Sequence, residues 1–93
     1  MSDQVNTISI SAENTYSDKL HLCGQFNLSL SGTWVGTVTV QRSFDDGVTW
    51  LDVATFTANG EYVGNEVEPN VVYRMGVKTG EYTSGTIIGR LSQ

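Results

Sequence analysis

Two-residue alternation runs through most of the chain. Leu20, Leu22, Phe26, Leu28 and Leu30 occupy even positions, while His21, Cys23, Gln25, Asn27, Ser29 and Ser31 take the odd ones. Successive side chains of an extended strand point to opposite faces, so this spacing predicts a strand with one buried and one wet face. The same pattern pairs Ile8 with Ile10 over residues 5–11 and groups Trp34, Gly36, Val38 and Val40 over residues 34–42. It recurs over 50–57, 71–78 and 82–91. Strands covered on both faces would be apolar throughout, so the alternation points to antiparallel sheet. No window sets apolar residues at i, i+3, i+4 and i+7 between caps, which argues against a substantial helix.

Turn chemistry punctuates these runs every ten to fifteen residues. Ser31-Gly32-Thr33 predicts a reversal, Asn59-Gly60 is a strong hairpin signal, and the segment from Lys78 to Glu81 is turn material again. Residues 13–18 read as a polar loop, and residues 64–70, with Glu66, Glu68 and the only proline, as a solvated connection. The expected fold is all-β: an antiparallel β-sandwich, immunoglobulin-like or jelly-roll-like, or a small barrel, with about seven strands. Residues 1–18 form an N-terminal arm and residues 19–93 the sandwich domain. Parity assigns Phe26, Leu28, Leu30, Trp34, Val38, Val40, Trp50, Phe56, Tyr73, Met75, Val77, Ile87 and Leu91 to the core, joined by Ile8 and Ile10 if the first strand docks.

The stretch Ser43-Phe-Asp-Asp-Gly-Val-Thr-Trp50 lies between two alternating runs. Short carboxylates that accept from nearby backbone N–H groups, followed by a glycine free to take positive φ, predict a tight β-hairpin here. These eight residues match the pattern Ser-x-Asp-x-Gly-x-Thr-Trp and resemble the Asp-box hairpin of sialidases and other secreted β-proteins. The resemblance implies that Ser43 and Asp45 fasten the turn, that Gly47 takes the positive φ and that Trp50 plugs the space beneath. It implies architecture, not catalysis, because the sialidase arginine cluster and repeated boxes are missing.

Composition removes several function classes. At 93 residues the chain is expected to be one domain with a modest core. The net charge of −5 argues against nucleic-acid binding, which rests on phosphate neutralisation. Neither an apolar run long enough to span a membrane nor a secretory pattern is evident, so synthesis in the cytoplasm is expected. The single cysteine, Cys23, reads as filler or an exposed thiol. Asp45, Asp46 and Asp52 lack the ligand spacing of an EF-hand, and no Ser-His-Asp set assembles around His21. No catalytic residue, cofactor or metal ligand is assigned, and the chain is not expected to be an enzyme.

A second resemblance concerns the succession Phe-Asn-Leu-Ser-Leu-Ser-Gly-Thr-Trp-Val-Gly-Thr-Val-Thr-Val-Gln-Arg-Ser from Phe26, the turn that follows, Val-Tyr-Arg-Met-Gly-Val-Lys-Thr-Gly-Glu-Tyr-Thr-Ser-Gly-Thr from Val72, and the final Leu-Ser-Gln. Covering about two thirds of the chain, it resembles small all-β structural proteins of tailed bacteriophages, including those that decorate or cement the head. It implies a virion protein made in the host cytoplasm that binds the major capsid or another virion protein in many copies, and that is open to homo-oligomerisation. Tail, baseplate or fibre modules share such strands. A carbohydrate-binding module is the alternative, with Tyr16, Phe44, Tyr62 and Tyr82 as turn-borne aromatics. Contact candidates are Ile8 and Ile10, through strand addition by the arm, those four aromatics, and a basic strip of Arg74, Lys78 and Arg90.

Overall fold

A computed structural model describes residues 5–93, so the first four residues of the predicted arm lie outside the described residues. The described chain contains no helix. It forms nine strands: β1 (Val5–Ile10), β2 (Thr15–Tyr16), β3 (Leu20–His21), β4 (Gly24–Gly36), β5 (Val38–Ser43), β6 (Leu51–Phe56), β7 (Gly60–Glu66), β8 (Val72–Val77) and β9 (Tyr82–Ser92). They build a β-sandwich of two antiparallel sheets. One has the order β1-β9-β4-β7 and the other β2-β8-β5-β6, with the short β3 also on β8. The orders run in step across the sandwich: β1 meets β2, β9 meets β8, and Phe56 of β6 meets Tyr62 of β7.

The core lies between the sheets, and parity explains most of it. Phe26, Leu28 and Leu30 of β4, Val38 and Val40 of β5, Tyr73, Met75 and Val77 of β8, and Ile87 and Leu91 of β9 are buried, together with Ile10, Leu22 and Val71. Trp34, Phe56, Ile8, Leu20, Tyr62 and Tyr82 pack against this cluster from its margins. Burial of this apolar surface is the main favourable contribution to folding.

Several expectations are corrected. Ser31-Gly32-Thr33 does not reverse the chain: β4 pairs with β9 straight through this stretch, and the change of sheet comes at Thr37, one residue separating β4 from β5. Asn59-Gly60 makes no hairpin, because β6 and β7 belong to different sheets. The Asn59 side chain instead accepts from Trp34 Nε1 at 2.7 Å and donates to Gly32 O at 2.8 Å, stitching the crossing to β4. Apart from the β2–β3 step along β8, only the β5–β6 connection returns to the sheet it left.

Residues 5–18 do not stand apart from the sandwich. β1 pairs with β9 from Val5↔Ser92 to Ile10↔Ile87, and β2 pairs with the end of β8. Ser17 closes the gap between β2 and β3, with its N–H donating to Met75 O at 2.8 Å and its Oγ accepting from Met75 N at 3.0 Å. Asn6 Nδ2 donates to Asp18 O at 2.6 Å, joining the two ends of the segment.

Candidate functional site

The β5–β6 hairpin organises one end of the molecule. Ser43, fully buried, accepts at its Oγ from Asp45 N at 3.2 Å and Gly47 N at 2.9 Å, and donates to Asp45 Oδ1 at 2.5 Å. Asp45 Oδ1 also accepts from Thr49 N at 2.8 Å. These bonds favour the charged carboxylate. The Ser43 hydroxyl first, and then the Thr49 N–H, pull the Asp45 pKa down to about 2. Asp46 and Gly47 both take positive φ, 60° and 94°. A Cβ on Gly47 would lie 3.2 Å from the Trp50 ring, so the indole packs directly against the turn.

Trp50 is not a core residue, contrary to the parity reading. It is half-buried and outside the apolar cluster. Its ring covers the outward face of the β2-β8-β5-β6 sheet, where the Arg74 guanidinium lies 4.3 Å from the Trp50 ring and 3.9 Å from that of Tyr16. Alternation in β8 sends Tyr73, Met75 and Val77 inward, so Arg74 must point out. There it meets Gln41, its register partner in β5: Arg74 Nε donates to Gln41 Oε1 at 2.9 Å, and Gln41 Nε2 donates to Asp52 Oδ1 at 3.0 Å. Lys78 donates to the other Asp52 oxygen. The Lys78 bond, followed by that from Gln41, holds the Asp52 pKa below its ordinary value, while Asp52 raises that of Lys78. Lys19 is likewise satisfied, by Asp46, at 3.2 Å from the carboxylate and 2.8 Å from the carbonyl. Desolvation lowers the Arg74 pKa, with Tyr16 opposing it to a lesser degree.

A second polar cluster lies between the sheets. Glu66, placed by the sequence in a solvated connection, is 2 % exposed at the end of β7. Its Oε1 accepts from Arg42 Nη1 at 2.9 Å and Tyr73 Oη at 2.7 Å, and its Oε2 from Glu68 N at 3.1 Å. Burial is the largest influence on Glu66 and raises its pKa, but the three donors and the Arg42 charge together leave it lowered. Burial first, then Glu66, pushes the Tyr73 phenol up to about 12. Only the fold brings these three together, so no local signal announced them.

The remaining sequence candidates separate. Ile10 is fully buried and Ile8 packs on the core, so neither offers a free side chain. Tyr62 packs against Phe56 at 5.5 Å between ring centroids, and the Tyr82 hydroxyl donates to Gly85 O at 2.8 Å. Phe44 is half exposed, with the Arg42 guanidinium 4.9 Å from its ring centroid. Tyr16, Phe44, Tyr62 and Tyr82 therefore form no single aromatic row. Arg74 and Lys78 share one network, but Arg90 belongs to β9 in the opposite sheet, which breaks the predicted basic strip.

The flank formed by β6 and β7 is open. Each is the last strand of its sheet among the described residues, and Leu51, Val53 and Val63 are exposed along it, Val63 to 65 %. An open cleft of about 300 Å³ lies at one end of this flank, lined by Gly32, Thr33, Trp34, Thr57, Ala58 and Asn59. No group of three or more His, Cys, Asp or Glu that could hold a metal occurs among the described residues.

The class these features define is a small antiparallel β-sandwich with two open edges on one flank. No protein-family model, curated protein or solved structure matches the chain.

Proposed function

We propose that this domain works by docking: it is a structural protein of a tailed-phage particle that binds the head lattice in many copies, its partner being the major capsid protein. The observation that carries the reading is the open flank. There β6 and β7 present unpaired backbone N–H and C=O groups from both sheets, bordered by exposed Leu51, Val53 and Val63. Unpaired edges are templates for strand addition and are usually blunted in monomeric proteins. The particular partner rests on the resemblance of the segments from Phe26 and Val72 to small all-β phage structural proteins, head decoration proteins among them. A partner that binds only the folded domain would also add to the stability of a small core.

Co-sedimentation with purified capsids lacking their decoration protein tests this. Saturable binding at a fixed number of copies per capsid is expected. Absence from the capsid pellet would overturn the head assignment, and retention on tails or fibres instead would move the domain to that part of the particle.

A further inference from the structure

Among the described residues, Arg74 is the one cation of its face without a counter-ion. Asp46 is engaged by Lys19 and Asp52 by Lys78, so each of these pairs is neutral in itself. Arg74 makes a single side-chain hydrogen bond, from Nε to the neutral amide of Gln41, and neither of its Nη atoms has a partner among the described residues. The guanidinium carbon lies over the rings of both Tyr16 and Trp50, 3.9 and 4.3 Å from their centroids. Stacking of this kind compensates part of the desolvation of a cation and fixes the plane of its donor fork. The same face holds a second unsatisfied group, the hydroxyl of Thr39, a fully buried residue two positions from Gln41 along β5.

We infer that the Tyr16–Arg74–Trp50 stack is a recognition site for a carboxylate, supplied by an acidic side chain on the protein that this domain docks to. The chemistry is specific. A guanidinium fixed in orientation presents two parallel N–H donors to a carboxylate, and charge-assisted pairs of this geometry are the stronger class of hydrogen bond. Arginine, tryptophan and tyrosine are also the residue types in which interface binding energy concentrates. In a chain with net charge −5 the general field repels acidic partners, so attraction here must be local and come from the Arg74 guanidinium itself. A phenylalanine or leucine from a partner would leave the Nη donors buried and unmet, which disfavours an apolar occupant.

The inference deepens the docking reading and rests on it for the identity of the partner, but its test uses no virion component, so the two can fail separately. Isotope-labelled protein is titrated with hexaglutamate at fixed ionic strength, with hexalysine as control, following the Arg74 Nε–H and Trp50 indole N–H resonances. Saturable shifts of both with hexaglutamate only are expected in the parent; read at the Trp50 indole, binding should weaken at least tenfold in Arg74→Gln and stay unchanged in Arg90→Gln on the opposite sheet. Arg74→Lys keeps the charge and loses the fork, so it should bind several-fold more weakly than the parent. No saturable shift in the parent, or equal binding by Arg74→Lys or by Arg74→Gln, would overturn the assignment. If Arg74→Gln fails to fold, the Arg74→Lys and Arg90→Gln titrations decide alone.

Discussion

Arg42 and Glu66 join the two sheets through a 2.9 Å contact from Nη1 to Oε1, the arginine coming from β5 in one sheet and the glutamate from β7 in the other. Tyr73 of β8 donates to the same oxygen at 2.7 Å, so one carboxylate oxygen ties three strands together. A buried pair of this kind contributes little over an apolar replacement, but removing one member leaves the other uncompensated.

Glu66→Ala should therefore destabilise the domain by about 2–3 kcal/mol. This is below the usual cost of breaking a buried pair because the Arg42 side chain is 38 % exposed and can reach water. Glu66→Gln retains an acceptor for Tyr73 and should cost about half as much. Urea unfolding of the two variants measures the difference, and equal midpoints would show that the acceptor retained by the amide contributes nothing.

Acid should unfold the protein through its carboxylates. Asp45, Asp52 and Glu66 all have folded-state pKa values below the ordinary ones, so each contributes stability that is present at neutral pH and lost as pH falls through the folded value. For Asp45 that window runs from 3.8 down to about 2. The melting temperature should fall over this range, and Asp45→Asn, uncharged throughout, should remove part of the slope. A variant whose melting temperature follows pH as steeply as the parent's would refute the assignment.

Two aromatic deletions should differ. Phe26 is fully buried and packs at a tilt against Tyr73, with ring centroids 4.7 Å apart, so Phe26→Ala should cost about 3–5 kcal/mol. Trp50 lies outside the core, and Trp50→Ala should cost about 1–2 kcal/mol, from partial burial and the cation–π contact with Arg74. Parallel denaturant melts would expose an error in the placement of Trp50 if its removal proved as costly as that of Phe26.

Gly85 of β9 has φ of 89°, and a Cβ there would meet the backbone of Thr33 and Trp34 on β4. Gly85→Ala should destabilise by about 1–3 kcal/mol through backbone strain alone, with added loss from the crowded strand pair. Gly60, where a Cβ would meet nothing, is the control, and Gly60→Ala should leave the melt nearly unchanged.

On the open flank, Val63→Lys places a charge on the β7 edge without touching the core, a substitution of the kind that blunts strand pairing. Capsid binding should fall sharply while the unfolding free energy stays within about 0.5 kcal/mol of the parent's. Undiminished co-sedimentation would take β7 out of the interface.

Much of this architecture is legible from the residues. Alternation at Phe26, Leu28 and Leu30 and at Tyr73, Met75 and Val77 assigns strands and their buried faces, because a strand's two-residue period is a local property. The turn at Ser43, Asp45 and Gly47 is equally local, since each bond that fastens it spans at most four residues. What stayed hidden depends on which sheet receives the chain after each turn. Asn59-Gly60 marks a change of direction, but only the packed fold sends β7 across to the other sheet. Trp50 lies outside although an unbroken two-residue period would send it inward with Phe56, because a register shift in the β5–β6 pair, where Val40 faces Ala54 but Gln41 faces Asp52, reverses the parity before it. Glu66 becomes buried because Arg42 and Tyr73, distant in sequence, supply the donors that make its charge tolerable there. Period and turn chemistry act over a few residues and so could be read in advance. The partners of buried charges and outward rings are chosen by strand order, which only the tertiary structure decides.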